Sequence, residues 1–241
     1  MTETEQARTD STRRAMVVGA HPDDAEWMCA GTVAKWCAQG WRVVYVLCTD
    51  GSKGSSDPDI TGEELVQLRE AEQREAARVL GVEQVVFLGH PDAYLEPTLE
   101  LRKELAREIR RHRPEILVTE SPVRNLTDRF YLAHPDHLAA GEAAMAAVFP
   151  TARDHLTFPE LLEEGLEPHK VKEVWIGGGE EGSDMFIDVT DHMDIALEAL
   201  KAHRSQVSDE EANEWFPLGR IETARKVGFQ YAEAFKVIRL G

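Results

Sequence analysis

The chain has 241 residues, a formal net charge of −17 and a hydrophobic content of 42%, a combination typical of one large globular domain with a sizeable core. Because a surface with this much negative charge repels nucleic acid and anionic lipid, neither nucleic acid nor a membrane is an expected partner. Because no apolar run approaches the ~18 residues of a membrane span and residues 1–14 lack the apolar core of a signal peptide, we expect a disordered tail and a cytoplasmic protein.

The first half of the chain alternates between predicted strands and predicted helices. Short apolar runs predict four strands, at 15–20, 41–49, 84–89 and 115–120. Longer patterned stretches predict three helices, at 23–40, 63–81 and 98–113, and the turn-rich segment 50–62 is expected to be a loop. This order predicts an α/β fold, a three-layer Rossmann-like sandwich with a mainly parallel sheet.

The second half is less regular. The predicted elements are a helix at 137–149, strands at 171–179 and 184–190, and a helix at 191–206. Residues 231–240 fit either a helix or a closing strand, and residues 150–170 and 207–220 are expected to be irregular. Since no linker or repeat interrupts the pattern, residues 15–241 are expected to form a single domain.

Three His-Pro-Asp triplets stand near predicted strand ends, at 21–23, 90–92 and 134–136. Ligands of parallel sheets bind at the carboxyl ends of strands, so the three triplets can converge on one edge. A proline followed by a capping aspartate at a helix start would explain a lone triplet. It does not explain the two longer clusters, HPDD at 21–24 and HPDH at 134–137, which hold more polar side chains than a cap needs.

The two longer clusters indicate a metal site. His21 and Asp24 stand three residues apart, as do His134 and His137, so each pair can face one point. Three imidazole or carboxylate ligands with an open water position are the usual arrangement of catalytic zinc. On spacing alone, either or both of His134 and His137 could be ligands.

Neighbouring residues can supply acid–base chemistry. Asp23 is free to take a proton from water. Whichever of His134 and His137 is not a ligand could stabilise an oxyanion or protonate a leaving amine, and Asp136 could orient that imidazole. No glycine-rich nucleotide loop and no GxSxG motif is present, which weighs against a nucleotide-binding transferase.

With AHPDDAE at 20–26 and AHPDH at 133–137, the chain resembles the N-acetylglucosaminyl-phosphatidylinositol de-N-acetylase (PIG-L) family, also called LmbE-like proteins. The hallmarks of this family are an HPDDE-type motif after the first strand and an HPDH-type motif further on. The resemblance covers most of the chain and extends to TDGSKG at 49–54, LGHPD at 88–92, FIDVT at 186–190, AHRSQ at 202–206 and YAEAF at 231–235.

The resemblance implies that zinc is held by His21, Asp24 and His137, with Asp23 as the general base. His134 is then the imidazole that stabilises the oxyanion or acts as an acid, supported by Asp136. Histidine and carboxylate ligands also suit another divalent ion such as Fe²⁺.

Other positions follow or depart from the family pattern. Arg69 and Asp92 match positions that contact the substrate sugar, although an arginine in a helix of alternating charges is more often a solvated ion-pair partner. His90 is not a hallmark and has no expected role beyond a pocket wall. Ala25 precedes Glu26 in HPDDAE, which shifts Glu26 but leaves the ligands in place.

The expected function is zinc-dependent hydrolysis of an N-acyl amide, most simply N-acetyl, on an amino sugar or a GlcNAc-containing conjugate. Water activated by the metal and Asp23 would attack the amide carbonyl. One alternative is an amidase acting on a thiol-sugar conjugate. Another is a non-catalytic metal- or sugar-binding protein of the same fold, although the intact Asp23 and His134 favour catalysis. The resemblance further implies a homo-oligomer, a trimer or a hexamer.

Overall fold

The computed structural model describes residues 12–126, 132–177 and 182–240. The tail expected for residues 1–14 lies outside these ranges as far as residue 11, and the first strand begins at Arg14. The strand expected at 171–179 is described as far as residue 177. None of the described helices is long and apolar enough to cross a membrane.

Strands and helices alternate over most of the described chain. The strands are β1 (Arg14–Gly19), β2 (Arg42–Thr49), β3 (Gln84–His90), β4 (Ile116–Glu120), β5 (Glu173–Gly177), β6 (Met185–Asp188) and β7 (Ala232–Arg239). The α-helices are α1 (Asp24–Ala38), α2 (Gly62–Leu80), α3 (Leu99–His112), α4 (Pro135–Val148), α5 (Glu160–Glu163), α6 (Met193–Leu200) and α7 (Phe216–Ala224). Short 3₁₀ turns lie at Thr151–Arg153 and Thr190–His192, and a π-helical turn lies at Glu211–Trp215.

The strands form one mainly parallel sheet in the order β3-β2-β1-β4-β5-β7-β6. β1 to β5 pair in parallel, and β7 pairs antiparallel with both β5 and β6. The chain proceeds from β1 to one side through β2 and β3, and then crosses to the other side of β1 with β4. The crevice beyond the carboxyl ends of β1 and β4 is therefore the topological switch point, where open α/β sheets bind ligands.

Two apolar cores, one on each face of the sheet, give the fold three layers. Successive residues of a strand point to opposite faces, and β1 shows this directly. Ala15 and Val17 pack with α1, α2, α6 and α7, whereas Met16 and Val18 pack with α3 and α4. This arrangement confirms the predicted α/β sandwich.

Helix α2 begins and ends on local sequence signals. Thr61 and Glu64 form a capping box, in which each side chain accepts the other residue's backbone N–H. Gly81 ends the helix with a φ of 80°, which glycine adopts without a steric cost. The helix between these signals presents Arg69 and Gln73 as buried side chains towards the end of β1.

The C-terminal part of the chain agrees with one of the two alternatives at 231–240 and differs from the expectation at two other places. Residues 232–239 are a strand and not a helix, because Phe235 and Val237 alternate into the core while the backbone pairs with β5 and β6. The helix expected at 191–206 is α-helical only over Met193–Leu200. The expectation of irregular structure at 207–220 is wrong. A π-helical turn leads there directly into α7, which begins at Phe216 and has Pro217 in its first turn.

Helix α4 approaches β4 so closely that only glycine fits at Gly141. A Cβ at this position would lie 2.4 Å from the carbonyl oxygen of Glu120. We expect Gly141→Ala to lower the free energy of unfolding by about 1–3 kcal/mol, because overpacking against backbone forces the helix or the strand to shift. Chemical denaturation of the wild type and the variant measures the difference.

A matched control is Gly219→Ala in α7, where an added Cβ meets nothing within 4 Å. Since alanine is favoured over glycine inside a helix by roughly 0.5–1 kcal/mol, this variant should be unchanged or more stable. Equal destabilisation by the two substitutions would contradict the close contact of α4 with β4.

Candidate metal and catalytic site

The site starts in the turn that joins β1 to α1. Asp23 has a φ of 105°, a left-handed conformation that costs most residues roughly 1–2 kcal/mol but that aspartate tolerates. Its backbone N–H donates to Gln73 Oε1 at 3.0 Å, which helps to hold this conformation. The tight turn brings the backbone N–H of His21 to 2.6 Å from Asp24 Oδ2. The side chains of His21 and Asp24 therefore lie side by side at the carboxyl end of β1.

Helix α4 completes a triangle of metal-binding atoms. His137 Nε2 lies 3.3 Å from His21 Nδ1 and 3.2 Å from Asp24 Oδ1, and His21 Nδ1 lies 3.4 Å from Asp24 Oδ2. Ligands at 2.0–2.2 Å from a tetrahedral ion are separated by roughly 3.3 Å. The three residues thus fit a zinc-sized ion, and the structure brings together the ligands that the family resemblance implied.

A second group of potential ligand atoms shares one of these residues. His21, Asp92 and His134 also offer donor atoms within 4.8 Å of one another. His21 Nε2 faces this side, 3.1 Å from Asp92 Oδ1. The two ring nitrogens of His21 therefore face two different sets of residues.

Glu120 at the end of β4 orients His137 and was missed by the sequence analysis. Its Oε1 lies 3.1 Å from His137 Nδ1, and its Oε2 accepts the backbone N–H of Ala20 at 3.1 Å. A carboxylate on the far nitrogen of a ligand histidine fixes the ring and raises its basicity. The signal in the sequence was an acidic residue ending a buried strand, EILVTE.

Asp136 contacts His21 more closely than it contacts His134. Its fully buried carboxylate accepts the backbone N–H of Ala93 at 2.7 Å and lies 3.2 Å from His21 Nε2. Its distance to His134 Nδ1 is 3.9 Å. Asp136 is therefore placed to orient the imidazole of His21, whereas the expectation paired it with His134.

The buried charged groups of the site shift one another's pKa values. Burial, together with the charge of Asp24, raises the pKa of Asp23 to about 7, while Arg69 opposes this shift. Burial would lower the pKa of His137, but Asp24 and Glu120 outweigh it and raise that pKa to about 9. The negative surroundings of His137 thus favour a positive charge at this position.

His134 has a different environment from the other two imidazoles. It is the N-cap of α4, where its Nδ1 accepts the backbone N–H of Asp136 at 3.2 Å, and its side chain is 39% exposed. Burial and the neighbouring His21 lower the pKa of His134. The ring is therefore neutral at pH 7, and its proton is on Nε2.

These side chains open onto one cavity of about 430 Å³. Its volume falls within the usual range for small-molecule sites. The described residues that line it are His21, Asp23, Asp24, Trp27, Lys53, Gly54, Arg69, Asp92, Ala93, His134, His137 and Gln206. All the predicted site residues except Asp136, which lies beneath His21, contribute to this lining.

Comparison with known proteins identifies the family of the chain. A family model described as GlcNAc-PI de-N-acetylase (PIG-L) matches residues 16–148. The chain belongs to this family. Diacetylchitobiose deacetylase of Thermococcus kodakarensis is 31% identical over 229 residues, which cover 94% of this chain and 83% of the relative.

Two further relatives of this PIG-L family member carry deacetylase names. 1D-myo-inositol 2-acetamido-2-deoxy-alpha-D-glucopyranoside deacetylase 1 of Saccharopolyspora erythraea is 29% identical over 245 residues, covering 80% of this chain and 78% of the relative. The structure of N,N'-diacetylchitobiose deacetylase from Pyrococcus horikoshii has a TM-score of 0.86 at 28% identity, covering 95% of this chain and 85% of that one.

Arg69 is buried, whereas the charge pattern of its helix favoured a solvated side chain. Its side chain is 4% exposed, and its guanidinium donates to the carbonyls of Gly51 at 3.0 Å and Pro22 at 2.7 Å. It therefore joins the loops that follow β1 and β2, 3.7 Å from Asp23 Oδ1.

Asp92 and His90 belong to one triplet but point to different places. Asp92 is buried, faces His21 and accepts the backbone N–H of Lys53 at 2.9 Å. His90 pairs instead with Glu104 of α3 at 2.6 Å and is not among the described lining residues, so the expected wall role is not supported.

Glu26, displaced in this PIG-L family member by Ala25, supports the site from behind. Its fully buried carboxylate accepts the side-chain amide of Gln73 at 3.2 Å and lies 3.0 Å from His203 Nε2. Gln73 in turn holds the backbone of Asp23. The AHRSQ stretch thus contributes a buried support to the turn that carries Asp23.

We expect Glu120→Gln to weaken zinc binding by about 10- to 100-fold, because the amide is a poorer acceptor for the N–H of His137. Chelator competition measures the dissociation constant. Glu104→Gln is the matched control, since Glu104 pairs with His90, which is not among the lining residues. If both variants bind zinc as tightly as the wild type, the contact between Glu120 and His137 does not contribute to metal binding.

Proposed function

We propose that the chain hydrolyses the N-acetyl amide of an amino sugar or a GlcNAc-containing conjugate, with a metal ion held by His21, Asp24 and His137. The observation that carries the proposal is the triangle of donor atoms with an Asp23 carboxylate beside it, both open to one cavity. The deacetylase names of the relatives support the same reaction class.

The donor set suits zinc, and Fe²⁺ or another divalent ion is also compatible with two imidazoles and a carboxylate. A bound ion would polarise the amide carbonyl and make a nearby water molecule more acidic. Asp24 and His137 are held for this task by contacts with the backbone of His21 and the carboxylate of Glu120.

Asp23 is the proposed general base. Its carboxylate lines the cavity, belongs to neither group of potential ligands, and lies 3.7 Å from the guanidinium of Arg69. A base is most effective when its pKa is near the working pH, and burial raises the pKa of Asp23 towards that range. Asp23 can therefore take a proton from water and pass it to the departing amine.

His134 is the proposed oxyanion donor. Because its Nδ1 accepts a backbone N–H, the neutral ring offers its Nε2–H as a donor. A fixed donor of this kind stabilises the negative charge that develops on an amide oxygen under attack. Its N-cap position at the start of α4 keeps it one turn from His137.

Asp92 and Arg69 are proposed to support sugar binding. The carboxylate of Asp92 can accept a hydroxyl hydrogen bond at the cavity wall, whereas Arg69 acts mainly by holding the two loops that form the wall.

A cytoplasmic location and a homo-oligomer, either a trimer or a hexamer, stay predictions. Light scattering measures the mass of the protein in solution and so tests the oligomeric state.

We expect Asp23→Asn to lower kcat for amine release by about 10²- to 10⁴-fold, because the amide cannot accept the proton from water. Asparagine tolerates the left-handed backbone as aspartate does, so the turn should persist and the metal content should stay at that of the wild type. The assay measures amine released from N-acetylglucosamine, diacetylchitobiose, an N-acetylglucosaminyl-inositol and a thiol-sugar conjugate.

Asp191→Asn is the matched control, since Asp191 is exposed and is not among the lining residues. It should keep full activity. Activity of Asp23→Asn within a few-fold of the wild type would exclude the general-base role. A metal-loaded wild type that releases amine from none of the substrates would favour a binding protein of the same fold.

A further inference from the structure

Trp27 is the one large apolar side chain among the described residues that line the cavity. Ala93 is the other apolar side chain there, and the remaining lining residues are glycine, charged or polar. Trp27 follows Asp24 by three residues in α1, so the two side chains lie on the same side of the helix, with Cβ atoms roughly 5–6 Å apart. The cavity therefore has an aromatic wall directly beside the proposed metal ligands.

The indole of Trp27 packs against α7. Its ring meets the ring of Phe216 edge to face, with centroids 5.6 Å apart at 75°. Phe216 is fully buried, and the guanidinium of Arg220 lies 3.6 Å from its ring centroid. Arg220 also donates to the carbonyl of Trp27 at 2.7 Å. Both the backbone and the ring of Trp27 are thus fixed before any ligand arrives, which reduces the entropy cost of binding.

The backbone of α1 is interrupted just after Trp27. Cys29 has non-helical angles, φ −155° and ψ 27°. On the C-terminal side of this break, Glu233 of β7 accepts the backbone N–H groups of Gly31 and Thr32 at 3.0 and 2.8 Å. On the N-terminal side, Arg220 donates to the carbonyl of Trp27. The first turn of α1 is therefore a separately anchored unit that carries both Asp24 and Trp27.

A sugar suits this combination of walls. One face of a pyranose ring presents C–H bonds, which pack favourably on the electron-rich face of an aromatic ring. The ring carbon of an N-acetylated amino sugar is bonded directly to the amide nitrogen. A wall on the nitrogen side of the reacting amide is therefore within reach of the sugar ring.

We propose that Trp27 determines the specificity of the site, by packing its indole against the apolar face of the pyranose ring of the N-acetylated sugar. This inference rests on the proposed function and names the part of the chain that recognises the sugar. Lys53, Asp92 and Gln206 supply the polar part of the lining, where hydroxyl groups find hydrogen-bond partners.

Steady-state kinetics of Trp27→Ala and Trp27→Phe test the proposal on N-acetylglucosamine and on N-acetylethanolamine, which has the amide but no ring. Loss of the aromatic face should raise KM for the sugar by roughly three- to tenfold, with kcat within about twofold. Trp27→Phe should restore most of the affinity. Neither substitution should change kcat/KM for the ring-free amide by more than about twofold.

Intrinsic fluorescence gives a second readout that does not depend on turnover. In an Asp23→Asn background, N-acetylglucosamine should change the tryptophan emission of the protein, and Trp27→Phe should abolish the change. Trp215→Phe is the matched control, because Trp215 is 61% exposed and is not among the lining residues. This variant should keep the signal.

The outcomes separate this inference from the proposed function. Amine release by the wild type, with the same KM in Trp27→Ala and a fluorescence change that survives Trp27→Phe, would overturn the role of Trp27 alone. Failure of the wild type to bind or hydrolyse any N-acetylated sugar would overturn both. If Trp27→Ala does not fold, Trp27→Phe and the fluorescence signal still decide the question.

Discussion

Four buried carboxylates lie within 3.2 Å of the rings of His21 and His137, and the rest of the site depends on this concentration of charge. They belong to Asp24, Asp92, Glu120 and Asp136. Buried charges are costly unless they are paired, and burial together with the charge of Asp24 raises the pKa of Glu120 to about 8. A divalent ion held by the proposed ligands His21, Asp24 and His137 would add positive charge to this cluster. The pairing of β1 with β4 at the switch point of the sheet brings His21, Asp24 and Glu120 together at one edge.

Much of this arrangement could be predicted from the sequence. Apolar runs and their turn residues indicated β1 to β4, and the regular alternation with helices indicated the parallel sheet. The HPDD cluster follows β1 and the HPDH cluster follows the loop that leaves β4, so the sequence indicated that the two clusters could converge at one edge of the sheet. Their spacing left open which of His134 and His137 is the ligand. The structure places His137 Nε2 beside Asp24 and gives His134 the separate position of an N-cap.

The supporting contacts could not be predicted, because they join segments that are distant in the chain. Glu120 reaches His137 from another strand, and His203 reaches Glu26 across 177 positions. Local propensity also misled the analysis of the C-terminal part. The acidic stretch within 207–220 suggested a loop, yet the packing of Phe216 and Arg220 against α1 stabilises α7. That helix then fixes the wall that we assign to the sugar.

Family membership and local geometry answer different questions about this protein. The shared fold and motifs place the chain in the PIG-L family, whereas the choice of substrate depends on the residues of the individual site. The proposed roles of Asp23, His134 and the three proposed ligands concern the reaction itself. The proposed roles of Trp27 and the polar lining concern the choice of substrate.

Anomalous X-ray diffraction from crystals grown with zinc tests the central claim most directly. The account predicts one strong peak between His21, Asp24 and His137, at about 2.0–2.2 Å from the ligand atoms of each. A peak between His21, Asp92 and His134, the second group of donor atoms, or no peak at either position, would contradict it.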